Sequence, residues 1–140
     1  NEHGFANSRA RLRMTTLYQV AAANNGIVVG TGTKVEDFGV GFYTKYGDGG
    51  VDISPIADCN KTEVWELGKE LGILKEIIDA PPTDGLWDDG RTDEGQLGFK
   101  YEDLEDAMNN PNSPHREEYE KIRKQNLHKM DPIPVCKIPS

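Results

Sequence analysis

The stretch Ile27-Val28-Val29-Gly30-Thr31-Gly32-Thr33-Lys34-Val35-Glu36-Asp37 decides how this chain is read. Its first three residues are apolar and branched, without polar alternation, which is the pattern of a strand covered on both faces, as in parallel sheets. Gly30, Thr31 and Gly32 follow at once, at the carboxyl edge where open α/β sheets bind ligands. Free backbone N–H groups and the hydroxyls of Thr31 and Thr33 suit a phosphate there. Glu36, five residues after Thr31, suits Mg²⁺, an ion that takes one or two protein carboxylates and completes its octahedron with phosphate and water. The GxxxxGK[ST] spacing of a Walker loop is absent, and a glycine pair after a strand is equally the mark of a plain turn.

Outward from this stretch the pattern is mostly helical. Upstream, Ser8 can cap a helix running to about Asn24, with Ala10, Met14, Leu17 and Ala21 on one face and Asn24-Asn25-Gly26 as its stop. Downstream, Asn60 with Glu63 three later reads as an N-cap with a reach-back carboxylate, opening a helix whose Val64, Leu67 and Leu71 share a face. An amphipathic turn over Tyr101 to Met108 and a polar helix from Arg116 to about Asn126 precede a Pro-rich tail. Between them, Asp79 to Gly98 reads as a long loop, broken by Pro81, Pro82, Gly85, Gly90 and Gly95. Such a loop is a lid or binding loop, or a disordered acidic bulge. Several helices and one confident inner strand predict an α/β chain that looks like the second half of a doubly wound parallel-sheet domain.

Composition sets the outer limits. The 140 residues carry 16 Lys or Arg against 24 Asp or Glu, a net charge of −8, and this predicts no nucleic-acid partner, because a phosphate-backbone binder needs a basic face. No apolar run approaches the ~18 residues of a membrane span, so no membrane partner is expected. Cys59 and Cys136 have no second sulfur nearby, which excludes a zinc knuckle and a disulfide framework; a reducing, cytoplasmic setting fits, and no signal-peptide pattern follows Asn1.

Nucleophilic catalysis finds no support. His3, His115 and His128 stand in no HExxH or GxSxG context, and neither cysteine has a neighbouring base. The second glycine cluster, Thr44-Lys45-Tyr46-Gly47-Asp48-Gly49-Gly50-Val51-Asp52, is either a solvated turn or a place where backbone closely approaches a ligand, and it lacks the spacing of an EF-hand. The row Arg9, Arg11, Arg13 would ordinarily be a solvated helix face. Trp65 reads as core and Trp87 as a loop anchor.

Taken together, Asn7 to Met14, Gly30-Thr31-Gly32 with Glu36, and Phe42 to Ile53 closely resemble the NAD synthetase family of ATP pyrophosphatases. The resemblance continues through Pro55, Lys61, Pro82-Thr83, Leu86-Trp87, Thr92-Asp93-Glu94, Leu97-Gly98, Tyr101 and His128-Lys129. It implies a Rossmann-like fold of the adenine nucleotide alpha hydrolase type, with residues 1–140 as the carboxyl-terminal portion of a single domain. It also implies an AMP-forming carbon–nitrogen ligase that uses ATP and Mg²⁺ to adenylate the carboxylate of deamido-NAD, after which ammonia displaces AMP to give NAD.

By the same resemblance Thr31, Lys61 and Thr83 contact ATP, Glu36 is a magnesium ligand, and Arg13, Lys45, Asp52, His128 and Lys129 line a deamido-NAD site at a homodimer interface. No side chain is assigned a nucleophile's role; positioning and charge neutralisation carry such a reaction. The family's SGGxDS phosphate loop, with its second magnesium carboxylate, is not among these residues, and neither is a glutaminase domain. A truncated module that dimerises or binds dinucleotide without turnover is therefore the competing expectation.

Overall fold

The computed structural model describes residues 1–139. In chain order, α1 (Glu2–Ala23) leads through an extended segment to a π-helix (Lys34–Val40), followed by α2 (Lys61–Glu70), α3 (Lys75–Ile78), α4 (Asp93–Leu97), α5 (Tyr101–Asn109) and α6 (Arg116–Met130). The core lies where the π-helix meets α5 and α6: Val35, Val40, Tyr101, Leu104, Ala107 and Tyr119 are buried, with Trp65, Phe42 and Ile122 packed against them. Trp65 thus has the core position its sequence context predicts.

The π-helix is the element the sequence does not announce. Its i→i+5 bonding follows neither the period of an α-helix nor that of a strand, and such turns are concentrated at functional sites. It ends at Gly41, whose φ of 69° is left-handed and whose missing Cβ would stand 2.7 Å from the Asn126 Cβ of α6. Glycine therefore satisfies both the conformation and the close approach at this corner. α6 is strapped across it: Asn126 Nδ2 donates to the Val40 carbonyl, and Lys129 Nζ to those of Gly41 and Tyr43 at 2.8 and 2.7 Å.

Four expectations are corrected. α1 begins at Glu2, because the Asn1 side chain accepts from the His3 N–H and caps it, while the Ser8 hydroxyl donates back to the Gly4 carbonyl inside the helix. α6 runs on to Met130, held by the Lys129 contacts. The loop from Asp79 closes early into α4, because the Thr92 hydroxyl accepts from the Gly95 N–H as an N-cap. On α2 the reach-back of Glu63 to the Asn60 N–H is present at 2.7 Å, but Leu67 and Leu71 are 47 % and 77 % exposed; Trp65 supplies the inward face instead.

The strand expectation fails as a sheet. Among the described residues there is no strand, only one parallel bridge between Val29 and Ile53. The Gly30 N–H donates to the Ile53 carbonyl at 2.7 Å and the Asp52 N–H to that of Val28 at 2.9 Å. Val28 is buried, whereas Ile27 and Val29 are 60 % and 52 % exposed. One pairing partner is too few to build a ladder. The direction of the pairing is parallel, as the unalternated pattern predicts.

Candidate active site

Glu36, the third residue of the π-helix, is buried and carries the densest polar contacts in the core. Lys61 Nζ, from the first turn of α2, lies 3.1 Å from its Oε1. The Tyr101 hydroxyl donates to the same oxygen, and the buried Thr33 hydroxyl donates to Oε2. Tyr101 OH also lies 3.2 Å from Asp93 Oδ2, while Asp93 Oδ1 is buried without a partner. A phenol has one hydrogen, and Glu36 receives it. The Asp93 contact is satisfied when Asp93 carries a proton of its own, in keeping with a carboxyl pushed up from its ordinary range by burial and by the nearby charge of Glu36. The Tyr101 phenol is likewise driven upward, first by burial and then by Glu36, and stays protonated.

Lys61 is placed by its own helix end. The Glu105 carboxylate of α5, itself buried, accepts from the Thr62 N–H at 3.2 Å and from the Thr62 hydroxyl at 2.7 Å. It thereby satisfies one of the amides a helix start leaves over and anchors α2 so that Lys61 reaches inward.

A second group of sequence-predicted residues lines a cavity of about 350 Å³ under α1: Arg13, Thr31 and Thr83, with Met14, Asp48 and Leu86. The Thr31 and Gly32 N–H groups make no hydrogen bond among the described residues, whereas those of Gly30 and Lys34 are engaged by Ile53 and Cys59. The Thr83 hydroxyl donates to the Arg91 carbonyl at 3.1 Å. Arg13 donates to the carbonyls of Asp84 and Gly85 at 3.1 and 2.8 Å, and Arg9 to that of Leu86 at 2.6 Å. Arg11 reaches the Lys45 carbonyl. The arginine row is therefore a set of staples between α1 and two loops.

The remaining candidates lie apart from that cavity. Asp52 accepts from the Val28 N–H at 2.8 Å and from the Tyr18 hydroxyl at 3.2 Å, bracing α1 against the bridge. Lys45 Nζ donates to the His128 carbonyl at 2.6 Å, and Lys129, held on two carbonyls, is pushed below the ordinary lysine range by burial. His128 is exposed near the end of α6. Trp87 has the anchoring position read for it, stacked on the Arg91 guanidinium at 4.1 Å and edge-on to His3.

A family model described as NAD synthase matches residues 2–137. The chain belongs to the NAD synthase family. It is 44% identical over 135 residues to the NH(3)-dependent NAD(+) synthetase of Alkaliphilus oremlandii, covering 95% of this chain and 53% of that one. With the protein of the same name from Carboxydothermus hydrogenoformans it shares 52% over 100 residues, 71% of this chain and 40% of that one. Among solved structures it resembles an NMN synthetase from Francisella tularensis, with a TM-score of 0.86 at 35% identity over 95% of this chain and 56% of that one. An NH3-dependent NAD synthetase from Campylobacter jejuni gives a TM-score of 0.67 at 26% identity, over 94% and 54%. The chain spans about half the length of the curated relatives it matches.

Within this NAD synthase chain, sequence reasoning missed Asp93, Tyr101 and Glu105 as parts of the site, and read Thr33 as a phosphate donor where its hydroxyl donates to Glu36. Asp93 stands only among the residues that carry the resemblance, Tyr101 there and at the start of an amphipathic turn, and Glu105 in a run of acids on that turn. The one local signal was the position of Glu105 on the same helix as buried Tyr101 and Leu104, where a carboxylate requires a partner.

Proposed function

We propose that the chain forms the carboxyl-terminal part of an ammonia-dependent NAD synthetase, a cytoplasmic ligase that adenylates deamido-NAD with ATP and lets ammonia displace AMP. The observation that carries this reading is the Glu36–Lys61 pair, a buried carboxylate held by a half-buried ammonium, in a chain of this family. Lys61 is a point charge suited to polyphosphate, and the unengaged N–H groups of Thr31 and Gly32 suit a phosphate oxygen.

The donor set fits magnesium. Glu36 Oε1 accepts from both Lys61 and Tyr101, which fills its two acceptor sites, while Oε2 accepts from Thr33 alone and keeps one. A single monodentate carboxylate with phosphate oxygens and water is an ordinary environment for Mg²⁺. When bound, the ion neutralises charge on the polyphosphate as pyrophosphate leaves. The chain's own residues do the rest: Lys61 orients the phosphates, Thr31 and Thr83 donate to them, and the loop from Asp79 to Thr92 excludes water from the adenylate.

In the same reading Arg13, Lys45, Asp52, His128 and Lys129 line the deamido-NAD site at a homodimer interface. Arg13 and Lys129, now on loop carbonyls, exchange those partners for the dinucleotide when it binds. The exposed Ile27, Val29 and Ile53 pair with further strands to complete a doubly wound parallel sheet.

The likeness to an NMN synthetase favours a second reading, in which the carboxylate amidated is that of the mononucleotide. The test is to assay the assembled enzyme with ATP, Mg²⁺ and ammonia on each carboxylate in turn. A higher kcat/KM for deamido-NAD is expected, a preference for the mononucleotide would select the second reading, and binding without turnover of either would leave a non-catalytic module.

A further inference from the structure

We infer that Tyr101 is a positioning residue that fixes the Glu36 carboxylate so that Oε2, and not Oε1, is the oxygen left for a ligand; the inference rests on the reading of Glu36 as a metal ligand. Tyr101 is 1 % exposed, and every surface of its side chain is used. The hydroxyl donates to Glu36 Oε1. The ring face lies 5.1 Å from Lys61 Nζ, and Trp65 packs against the ring in a T-shape at 6.2 Å. Its backbone N–H donates to Glu94 Oε1 at 3.0 Å, which ties the start of α5 to α4, and its hydroxyl meets Asp93 of the same short helix. One residue therefore joins α2, α4 and α5 to the π-helix at the carboxylate on which the proposed chemistry depends.

The physical need is plain. A glutamate side chain has three rotatable bonds, and in a π-helix its backbone gives little guidance to the terminal torsion, which is broad for a carboxylate. Without the phenol, Oε1 would be held only by Lys61, a charge on a flexible stem that can follow it, while the Thr33 hydroxyl engages the other oxygen. The phenol is different: it is rigid, buried and clamped on two sides, so the Oε1 position it defines is fixed by packing. Outer contacts of this kind orient metal ligands, and losing them typically costs 10–100-fold in metal affinity.

Two variants separate the hydroxyl from the ring. Tyr101→Phe keeps the packing against Trp65 and Lys61 and removes only the donor; Tyr101→Leu removes both. The first measurement needs no metal: the Glu36 carboxylate is located in the Tyr101→Phe chain by crystallography, or by the carboxyl carbon resonance of labelled glutamate assigned through Glu36→Gln. It is expected to leave its Tyr101-bound position, and an unchanged position and resonance would overturn the inference. The second is the Mg²⁺ concentration needed for half-maximal ATP binding in the assembled enzyme. It should rise about tenfold or more in Tyr101→Phe, be restored by excess Mg²⁺, and leave deamido-NAD affinity unchanged. If Glu36→Gln itself leaves the Mg²⁺ requirement unchanged, the metal reading of Glu36 fails, while the first measurement still decides whether Tyr101 positions that carboxylate.

Discussion

At the scale of single residues, Glu36 and its neighbour Asp37 show opposite uses of burial. Glu36 is stabilised by Lys61, Tyr101 and Thr33. Asp37 has no such partner, and its carboxyl is pushed from 3.8 up to about 7, chiefly by burial, with Glu36 and Asp48 adding to it. The folded chain thus keeps a proton that the unfolded chain gives up, so the stability this group contributes is fully present below about pH 4 and is lost as the pH rises through 7. Asp37→Asn should remove that decline, with a gain of ~2 kcal/mol at pH 8 and little change at pH 4 by urea unfolding. Equal midpoint shifts at both pH values would count against it. For Glu36→Gln in the assembled enzyme, loss of the proposed metal contact, worth several kcal/mol, predicts a fall in adenylation of roughly a thousandfold, with deamido-NAD binding nearly intact. Parallel loss of both, read by isotope-exchange and binding assays, would refute the assignment. Glu36 stands out in the sequence as a carboxylate five residues after Thr31 in a glycine turn. Its partner Tyr101 lies 65 positions away along the chain, and no local pattern encodes that contact.

At the scale of elements, helices are legible wherever a cap or a period writes them, as at Asn60 with Glu63. Boundaries are less so: Asn1 and Ser8 are both capping residue types, and only the hydrogen bond of Asn1 decides between them. The π-helix has no sequence period to read. The arginine row illustrates the limit best, because Arg9 and Arg13 look like a solvated face until the loop carbonyls of Asp84, Gly85 and Leu86 are seen to meet them. Hydrogen bonds from a charged donor are worth more than neutral ones. Removing two of them with Arg13→Gln should accelerate amide exchange at Gly85 and Leu86 by roughly tenfold, without altering α5. Unchanged exchange there would show that the staple does not hold the loop. If the dinucleotide takes over Arg13 as proposed, its addition to the assembled enzyme should speed the same amides unless the closed loop protects them by a new contact, and an Arg13→Gln comparison separates the two.

At the scale of the whole molecule, no helix among the described residues is long and apolar enough to cross a membrane, and the apolar surface is unevenly finished. Ile27, Val29 and Ile53 stand open beside a lone parallel bridge, and Leu71, Leu74 and Ile77 are open around the junction of α2 and α3. An unpaired parallel edge of this kind is a template for further strands. The parallel direction is readable from three branched residues in a row; the absence of a ladder is not, since it depends on what lies beside them. These residues are proposed to hold one half of an ATP-dependent amidating site, with Glu36 and Lys61 but without the family's SGGxDS phosphate loop. Removing even one backbone donor to developing charge typically costs ~3 kcal/mol, about a hundredfold in rate. The decisive assay is NAD formation from ATP, Mg²⁺, deamido-NAD and ammonia by residues 1–140 alone, and again with the amino-terminal half of a relative supplied in trans. No NAD above background is expected from residues 1–140 alone, with turnover on mixing that Glu36→Gln abolishes; turnover by residues 1–140 alone, or mixed turnover indifferent to Glu36, would contradict the half-site.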